Sequence, residues 1–514
     1  MRASANTFIV ELPLVTGDEE RRILSKAFSF ARMLYNATLS QALGRLQRMR
    51  EDARWREARE MHKGSERNQI FRKLHHEYDL TENGLRTLAN RHRVASGRNC
   101  LGAHEAQNIG KTVYRALERY LFKKGGKPRF KSYRRGLHSI SGTDNRELMW
   151  KADNRIFVWR KHVYQVKIPS TPYYEEALNH RVKYCTVVHR TIKSQVRWYL
   201  QLAMEGLPPV RHVYAPKCEV IGIDPGPSKI AYFSNREVGF LEVAMGVKNY
   251  DQVIQVLLRK MDRSKRATNP QNFNDDGTCK KGTKHWKFSN NYLKLKSELQ
   301  EIYRCMAQTR KRDHGTLANY LFQLGGTIKI EKNSYRSFQR NFGKSTQRHG
   351  MGEFVSTIKR KAASADLVVE ELNAYDLKMS QYDPMTDTYT KKPLKQRWHR
   401  LGETNTIVQR DVFSAFLACH VTDKGHDRER LLTKWRAAEL LLRDAGLCLT
   451  YQPRNDQDWA QALSRLTREP KQTVWTPTDK RCISNTVYAE RRLAANPTGS
   501  NRKSSAQVTV NPSN

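Results

Sequence analysis

The chain has 514 residues, enough for three or four domains, and carries 92 Lys and Arg against 51 Asp and Glu, a formal net charge of +41. A charge of this size calls for a polyanion. No apolar run approaches ~18 residues and no isolated Lys/Leu amphipathic helix stands out, which sets a membrane partner aside, and nothing at the N-terminus reads as a secretory signal. The basic residues are spread along the chain rather than gathered in one arm, as a long nucleic-acid channel requires.

Eight cysteines contain no Cys-x-x-Cys pair. Their spacing builds neither a zinc site nor a disulfide framework, and buried free thiols are the expectation.

In chain order, residues 5–14 read as a strand closed by proline. Asp18-Glu19-Glu20 opens a helix with acids in its first turn, and Ile23, Leu24, Phe28, Ala31, Leu34 and Tyr35 recur at helical spacing. Helical patterns continue to about residue 122. Lys123, Lys124, Lys127, Arg129, Phe130, Lys131, Tyr133, Arg134 and Arg135 then interleave on a Gly/Pro scaffold. This is a nucleic-acid-contacting pattern, with cations for phosphates and rings for stacking. Residues 138–205 look β-structured: Val196, Trp198, Leu200, Leu202 and Met204 alternate on one face, and Val182, Tyr184 and Val188 on the run before. A small barrel that also uses the N-terminal strand is expected, with the helices inserted between.

The run Val220-Ile221-Gly222-Ile223 ends in Asp224 and the turn Pro225-Gly226-Pro227-Ser228, with Ala231-Tyr232-Phe233 as partner strand. Asp224 is then on the rim of a sheet, and Gly222 and Gly226 leave room for a phosphate backbone. Taken alone, Asp-Pro-Gly is ordinary turn chemistry. A helix over 247–265, an irregular basic loop over 264–289 and a helical pair over 290–324 follow. Gly325 to Glu331 repeats the earlier device: a glycine break, a short β-type run, a terminal carboxylate. A helix at 351–364, a strand at 367–371 and a loop-like 376–408 lead to a helix starting at Gln409, with Asp411 in its first turn. Helices run on to about 466, and the remainder is a disordered tail.

Asp224, Glu331 and Asp411 thus stand at two strand ends and one helix start. Two Mg²⁺ ions roughly 4 Å apart need carboxylate oxygens from separate elements of one sheet, and three converging acids repel one another unless a cation neutralises them.

The segments Ile221 to Gly226, Ile328 to Glu331 and Gln409 to Ala418 resemble the three RuvC motifs of the TnpB family, transposon-encoded RNA-guided DNA nucleases from which type V CRISPR effectors descend. Arg129 to Ser132, Ser337 to Ser345 and Lys391 to His399 are further matches, and together the resemblance covers about residues 5–450. It implies an α+β multidomain chain: a wedge β-barrel (1–14 and 123–215), a helical recognition domain (15–122), and a split RuvC, RNase H-like domain (216–375) with a helical insertion (247–324). A lobe at 376–408, the third motif with its C-terminal helices (409–465) and the tail (466–514) complete it. It also implies that Asp224, Glu331 and Asp411 are catalytic ligands of two Mg²⁺, with Mn²⁺ a substitute. Arg340, Lys344, Arg397 and Trp398 join the nucleic-acid contacts. The implied partners are a guide RNA from the transposon end and double-stranded target DNA, with the protein a monomer in a ribonucleoprotein of the prokaryotic cytoplasm, on the nucleoid when bound to DNA.

Val368 to Asn373 also resembles the second motif. Glu331 is preferred, because in the family the helix carrying Phe354 and Lys361-Ala362 follows the catalytic strand, which makes Glu371 a neighbour. Members of the family usually bind zinc through two cysteine pairs in the lobe at 376–408. No cysteine stands there in this chain, no Zn²⁺ is expected, and His399 reads as a surface or stacking residue. The activity expected is RNA-guided DNA cleavage. The alternatives are an RNA-guided binding protein with little cleavage, an unguided transposase and a compact CRISPR effector.

Overall fold

The structure is a computed structural model that describes residues 6–133, 136–143, 147–210, 212–282, 284–393 and 396–451. Arg134, Arg135, the helices expected beyond 451 and the expected tail lie outside the described residues. The chain divides into two units, Met1–Pro209 and Val210–Asn514.

The first unit opens with β1 (Thr7–Val15) and a helical run: α1 (Asp18–Glu51), α2 (Ala53–Glu60), α3 (Ser65–Glu77), α4 (Glu82–Ala95) and α5 (Ala103–Leu121). Strands β2 (Ser139–Thr143), β3 (Leu148–Lys151), β4 (Ile156–Trp159) and β5 (His162–Val166) follow. A short α6 (Pro172–Leu178) and the long hairpin β6 (Val182–Ile192) and β7 (Gln195–Glu205) close the unit. Along α1, Leu24, Phe28, Ala31, Leu34 and Tyr35 are buried in one core with Leu200 and Leu202 of β7, so the helical period read from sequence is the period that packs.

The strand order is β2-β6-β7-β1-β5-β4-β3. β1 pairs with β7 through Thr7 to Pro13 and passes to β5 at Leu14 and Val15. The change of partner falls after Pro13, which has no N–H to give a ladder. Among the described residues no ladder joins β2 to β3, so the expected barrel is an open seven-stranded sheet. The face expected on β6 is also out of phase. Cys185 and Val187 are buried while Tyr184 is exposed, because a bulge between Val182 and Tyr184 inserts Lys183 and reverses the alternation. On β7, Trp198 to Met204 alternate inward as read, but Val196, near the hairpin turn, is exposed.

The second unit begins with β8 (Val220–Pro225), β9 (Lys229–Phe233) and β10 (Val238–Glu242), then α7 (Asp251–Thr268), α8 (Asn290–Leu324) and β11 (Thr327–Glu331). Next come α9 (Tyr335–Asn341), α10 (Gly343–His349), α11 (Met351–Ala365), β12 (Val368–Leu372) and α12 (Ala374–Leu377). Strands β13 (Tyr382–Asp383), β14 (Thr388–Tyr389), β15 (Trp398–Arg400) and β16 (Thr406–Gln409), helices α13 (Arg410–His420) and α14 (Arg428–Asp444), and β17 (Cys448–Thr450) complete it. The helical pair expected over 290–324 is the single helix α8, with no proline to break it; its partner is α7, whose Ile254, Leu257 and Met261 pack with Leu299 and Met306.

The central sheet has the order β10-β9-β8-β11-β12. β8, β9 and β10 form an antiparallel meander, while β11 runs parallel to both β8 and β12. Alternation sorts its residues onto two faces. Ile221, Ile223, Ile328 and Ile330 pack against Leu321 and Phe322 of α8 and Phe354 and Ile358 of α11. The opposite face, with Val220 and Gly222, meets α13. A Cβ on Gly222 would lie 1.9 Å from the Ala415 carbonyl oxygen and 2.5 Å from the Cys419 nitrogen. Gly222 therefore makes room for a helix, not for the phosphate backbone expected from sequence.

The cysteine-less lobe is more ordered than its loop-like sequence suggests. The Asp383 carboxylate accepts hydrogen bonds from the Met385 N–H at 2.9 Å and the Gly402 N–H at 2.7 Å. Tyr382 stacks on His426 at 4.3 Å, and Arg428 donates to the Pro384 and Met385 carbonyls. Trp398, expected to contact nucleic acid, is 3% exposed and packs with Ile407 and Leu449. His399, expected at the surface or in a stack, is buried with its ring edge-on to Phe413. Burial and the cations Lys392 and Arg410 push its pKa well below the usual imidazole value.

Candidate active site

The parallel register of β8 and β11 sets Ile223 beside Ile330. Asp224 and Glu331 are the next residue on each strand, so the two carboxylates end neighbouring strands on the same face, the one that meets α13. That helix brings Asp411 in its first turn, after Gln409, whose side chain caps it by accepting from the Val412 N–H at 2.8 Å. At the other end of α13 the Lys329 ammonium, from the strand carrying Glu331, donates to the Val421 carbonyl at 2.6 Å. A cation at a helix C-terminus is the favourable arrangement. The C-terminal end of α13 is thereby tied to the sheet, and the close approach at Gly222 fixes the helix's height.

The electrostatics register the convergence. Burial, then the charges of Glu331 and Asp411, push the Asp224 carboxyl well above its usual range, and Arg410 and Arg397 oppose the shift. Burial also raises Glu331, against a hydrogen bond donated by the Asn333 side chain at 3.3 Å. Glu371 is differently placed. It pairs in register with Ile330, one residue out of step with Glu331, and forms an ion pair with Lys359 of α11 at 2.6 Å. It therefore belongs to the opposite face.

Asp411 is held by two guanidinium groups. Arg410, 7% exposed, donates to Oδ1 at 2.9 and 3.0 Å and to the Pro393 and Gln396 carbonyls. Arg397, exposed, donates to Oδ2 at 3.0 Å. Arg397 was expected on nucleic acid; the structure puts it at the carboxylates. Arg410 was missed in sequence, although its position directly before the motif aspartate was the available signal. Two carboxylates on one sheet face and a third on the helix packed against it are hard oxygen donors that suit a divalent cation; burial first, and then the neighbouring charges, raises Asp224, and a cation would relieve both. As arranged, cationic side chains occupy both Asp411 oxygens. Among the described residues no group of three or more His, Cys, Asp or Glu stands ready to hold a metal ion.

Of the remaining predicted contacts, Lys123, Lys124, Lys127, Arg129, Phe130 and Tyr133 are exposed in the first unit. Their loop is anchored. The Asn36 amide of α1 donates to the Lys131 carbonyl at 2.9 Å and its oxygen accepts the Lys131 N–H at 2.8 Å. Lys131 lies over the Tyr35 ring and Arg32 over Tyr133. Arg340 and Lys344 are exposed on α9 and α10 of the second unit. Among the described residues no helix is long and apolar enough to cross a membrane.

No family model matches the chain, and no curated protein matches it. Among solved structures it is similar to a cryo-EM Cas12f1–sgRNA–target DNA complex, at 13% identity and a TM-score of 0.38, covering 80% of this chain and 98% of that one. It is also similar to a CRISPR–Cas12f ternary complex, at 12% identity and a TM-score of 0.26, covering 80% and 99%. A Cas12i–crRNA–dsDNA complex matches at 9% identity and a TM-score of 0.24, covering 88% and 71%. Superpositions this loose carry no weight for function, which rests on the residues themselves.

Proposed function

We propose that the chain is an RNA-guided DNA endonuclease that cuts target DNA at the Asp224–Glu331–Asp411 face. The observation that carries this reading is the register of β8 against β11: two carboxylates on one sheet edge, facing a helix that carries the third. Mg²⁺ held by these three residues would supply an activated water and charge neutralisation for phosphodiester hydrolysis. Lys329 and the cap at Gln409 hold the helix that presents Asp411, and the exposed cations of the chain hold the polynucleotide. Target sequence is then read mainly by a guide RNA, with the protein reading a short flanking motif. A stand-alone transposon protein is the version favoured here, on the sequence resemblance.

A second reading has a specific observation in its favour. With both Asp411 oxygens on guanidinium groups, the chain could bind guided targets and cut little. The two readings part on one experiment. The gene is expressed with its native flanking DNA, the copurifying RNA is sequenced, and the complex is tested on matched DNA with Mg²⁺. A discrete RNA and cleavage that Asp224→Ala abolishes, while RNA and target binding persist, support the endonuclease. A discrete RNA without cleavage leaves the binder. Heterogeneous RNA or none overturns both.

A further inference from the structure

The hairpin of α7 and α8 leaves the central sheet at its carboxylate edge. β10 points the same way as β8, and Leu241, opposite Ile230, is level with Pro225. The chain therefore comes off β10 beside the turn that follows Asp224, where the Gly246 N–H bonds the Asp313 carboxylate of α8 at 2.9 Å. Beyond Asp313, α8 buries Leu317, Leu321 and Phe322 on the sheet; its earlier half packs on α7. At ~1.5 Å per residue the 18 residues of α7 put the tip about 27 Å along the hairpin from the start of that helix.

The tip, expected as an irregular basic loop, is built. Asn269 is fully buried; its amide donates to the Lys265 and Lys287 carbonyls, both at 2.8 Å, and its oxygen accepts the Lys287 N–H at 2.7 Å. Asn272, also buried, donates to the His285 carbonyl at 2.8 Å and accepts the Lys280 N–H on its own carbonyl at 3.0 Å. The rings have partners within the tip. Trp286 lies under the Lys265 ammonium at 4.0 Å, Phe273 under Arg266 at 4.7 Å, and Phe288 stacks on Tyr292 at 4.6 Å. From Arg259 to Lys287 there are nine Lys and Arg against three Asp. Lys280, Lys281 and Lys287 are exposed and, among the described residues, take part in no ion pair, whereas Arg266 is paired with Asp262.

Two buried asparagines thus fix the backbone at Lys265, Lys280 and Lys287 within a strongly basic segment, and an excess of one charge costs stability unless an anion neutralises it. We propose that this tip is a phosphate-backbone binding site for structured RNA, gripping a duplex segment at the end of the α7–α8 hairpin. Because the rings are used internally, the tip reads backbone and shape rather than unstacked bases, which is how helical RNA is recognised. A preformed loop loses little entropy on binding, which suits a partner that stays bound. The choice of RNA rests on the RNA-guided reading above.

The test uses the full chain, wild type and K280A/K281A/K287A, with K280R/K281R/K287R as the charge-retaining control. The loop is held by backbone and asparagine contacts, so all three fold alike, as melting curves verify. Affinity for an RNA stem-loop and for a DNA duplex of the same sequence is read by fluorescence anisotropy across a salt series. The alanine variant weakens RNA binding roughly 10-fold or more and makes the log K against log salt slope shallower by about two to three, one phosphate per lysine. The arginine variant and DNA-duplex affinity stay at wild type. Unchanged RNA affinity and slope overturn the proposal, as does a loss confined to the DNA duplex. The guided reading fails separately: it falls if wild-type protein carries no discrete RNA, and the stem-loop titration still decides the tip.

Discussion

Glu105 is fully buried at the start of α5, where its carboxyl accepts from the Gly102 N–H and the Trp159 indole N–H, both at 2.6 Å. Burial and the neighbouring Glu147 push its pKa to about 8, while Glu147, despite its own burial, is held below the usual range by the hydrogen bond from Glu105. The pair keeps a proton that the unfolded chain, with a carboxyl near 4.5, has already released. A raised carboxyl pKa stabilises at low pH, so stability falls as pH climbs from about 4.5 through about 8. The urea-unfolding midpoint is expected to fall across that window, partly offset by the lowered Glu147, and Glu147→Gln changes the slope. A stability curve with no slope in that window would mean the carboxyls do not share a proton. If the proposed endonuclease reading holds, Asp224→Ala is expected to lower cleavage by roughly three orders of magnitude while leaving RNA affinity within about twofold, since it would delete one donor of the proposed metal site without touching the basic surfaces.

Two elements are set by close contacts that a single substitution would disturb. The α13–β8 contact depends on Gly222, where a Cβ would meet the Ala415 carbonyl at 1.9 Å, backbone that has no rotamer to give. Gly222→Ala is therefore expected to cost about 3 kcal/mol by thermal or denaturant unfolding. Because the same contact sets the height of Asp411, cleavage by the protein that stays folded should fall too. Full activity at unchanged stability would place α13 further from the sheet. In the lobe, Asp383→Ala strands two backbone N–H groups, those of Met385 and Gly402. It should cost about 1–3 kcal/mol and raise hydrogen exchange over 382–402. A zinc chelator should leave that exchange pattern as it is. A chelator that raises it would show that a metal holds the lobe.

At the scale of the whole molecule, the net charge of +41 is the dominant fact. Roughly ten phosphate contacts would lower affinity for nucleic acid by about 10³–10⁵ between 50 and 200 mM salt. A weak salt dependence would mean that most of the cations are solvated, and that binding is carried by a few local contacts.

Much of this was legible along the chain. The net charge raises the expectation of a polyanion partner, which the salt series above tests. The helical period of α1 and the apolar runs ending at Asp224 and Glu331 were readable because both depend on neighbours a few residues away. The short strand with its terminal carboxylate is local chemistry. What only the tertiary structure decided depends on partners distant in sequence. Whether a sheet closes rests on β1 changing partners, and the phase of β6 rests on one inserted residue. Gly222 looked like space for a ligand until Ala415 and Cys419 of a helix nearly two hundred residues later were seen to fill it. Trp398 looked like a stacking platform until Ile407 and Leu449 enclosed it. Arg397 showed its role only once Asp411, fourteen residues on, stood beside it, whereas Arg410 could have been read from its place next to Asp411. Residue type and spacing single out candidate groups; long-range contacts, which no local pattern encodes, decide what each group faces.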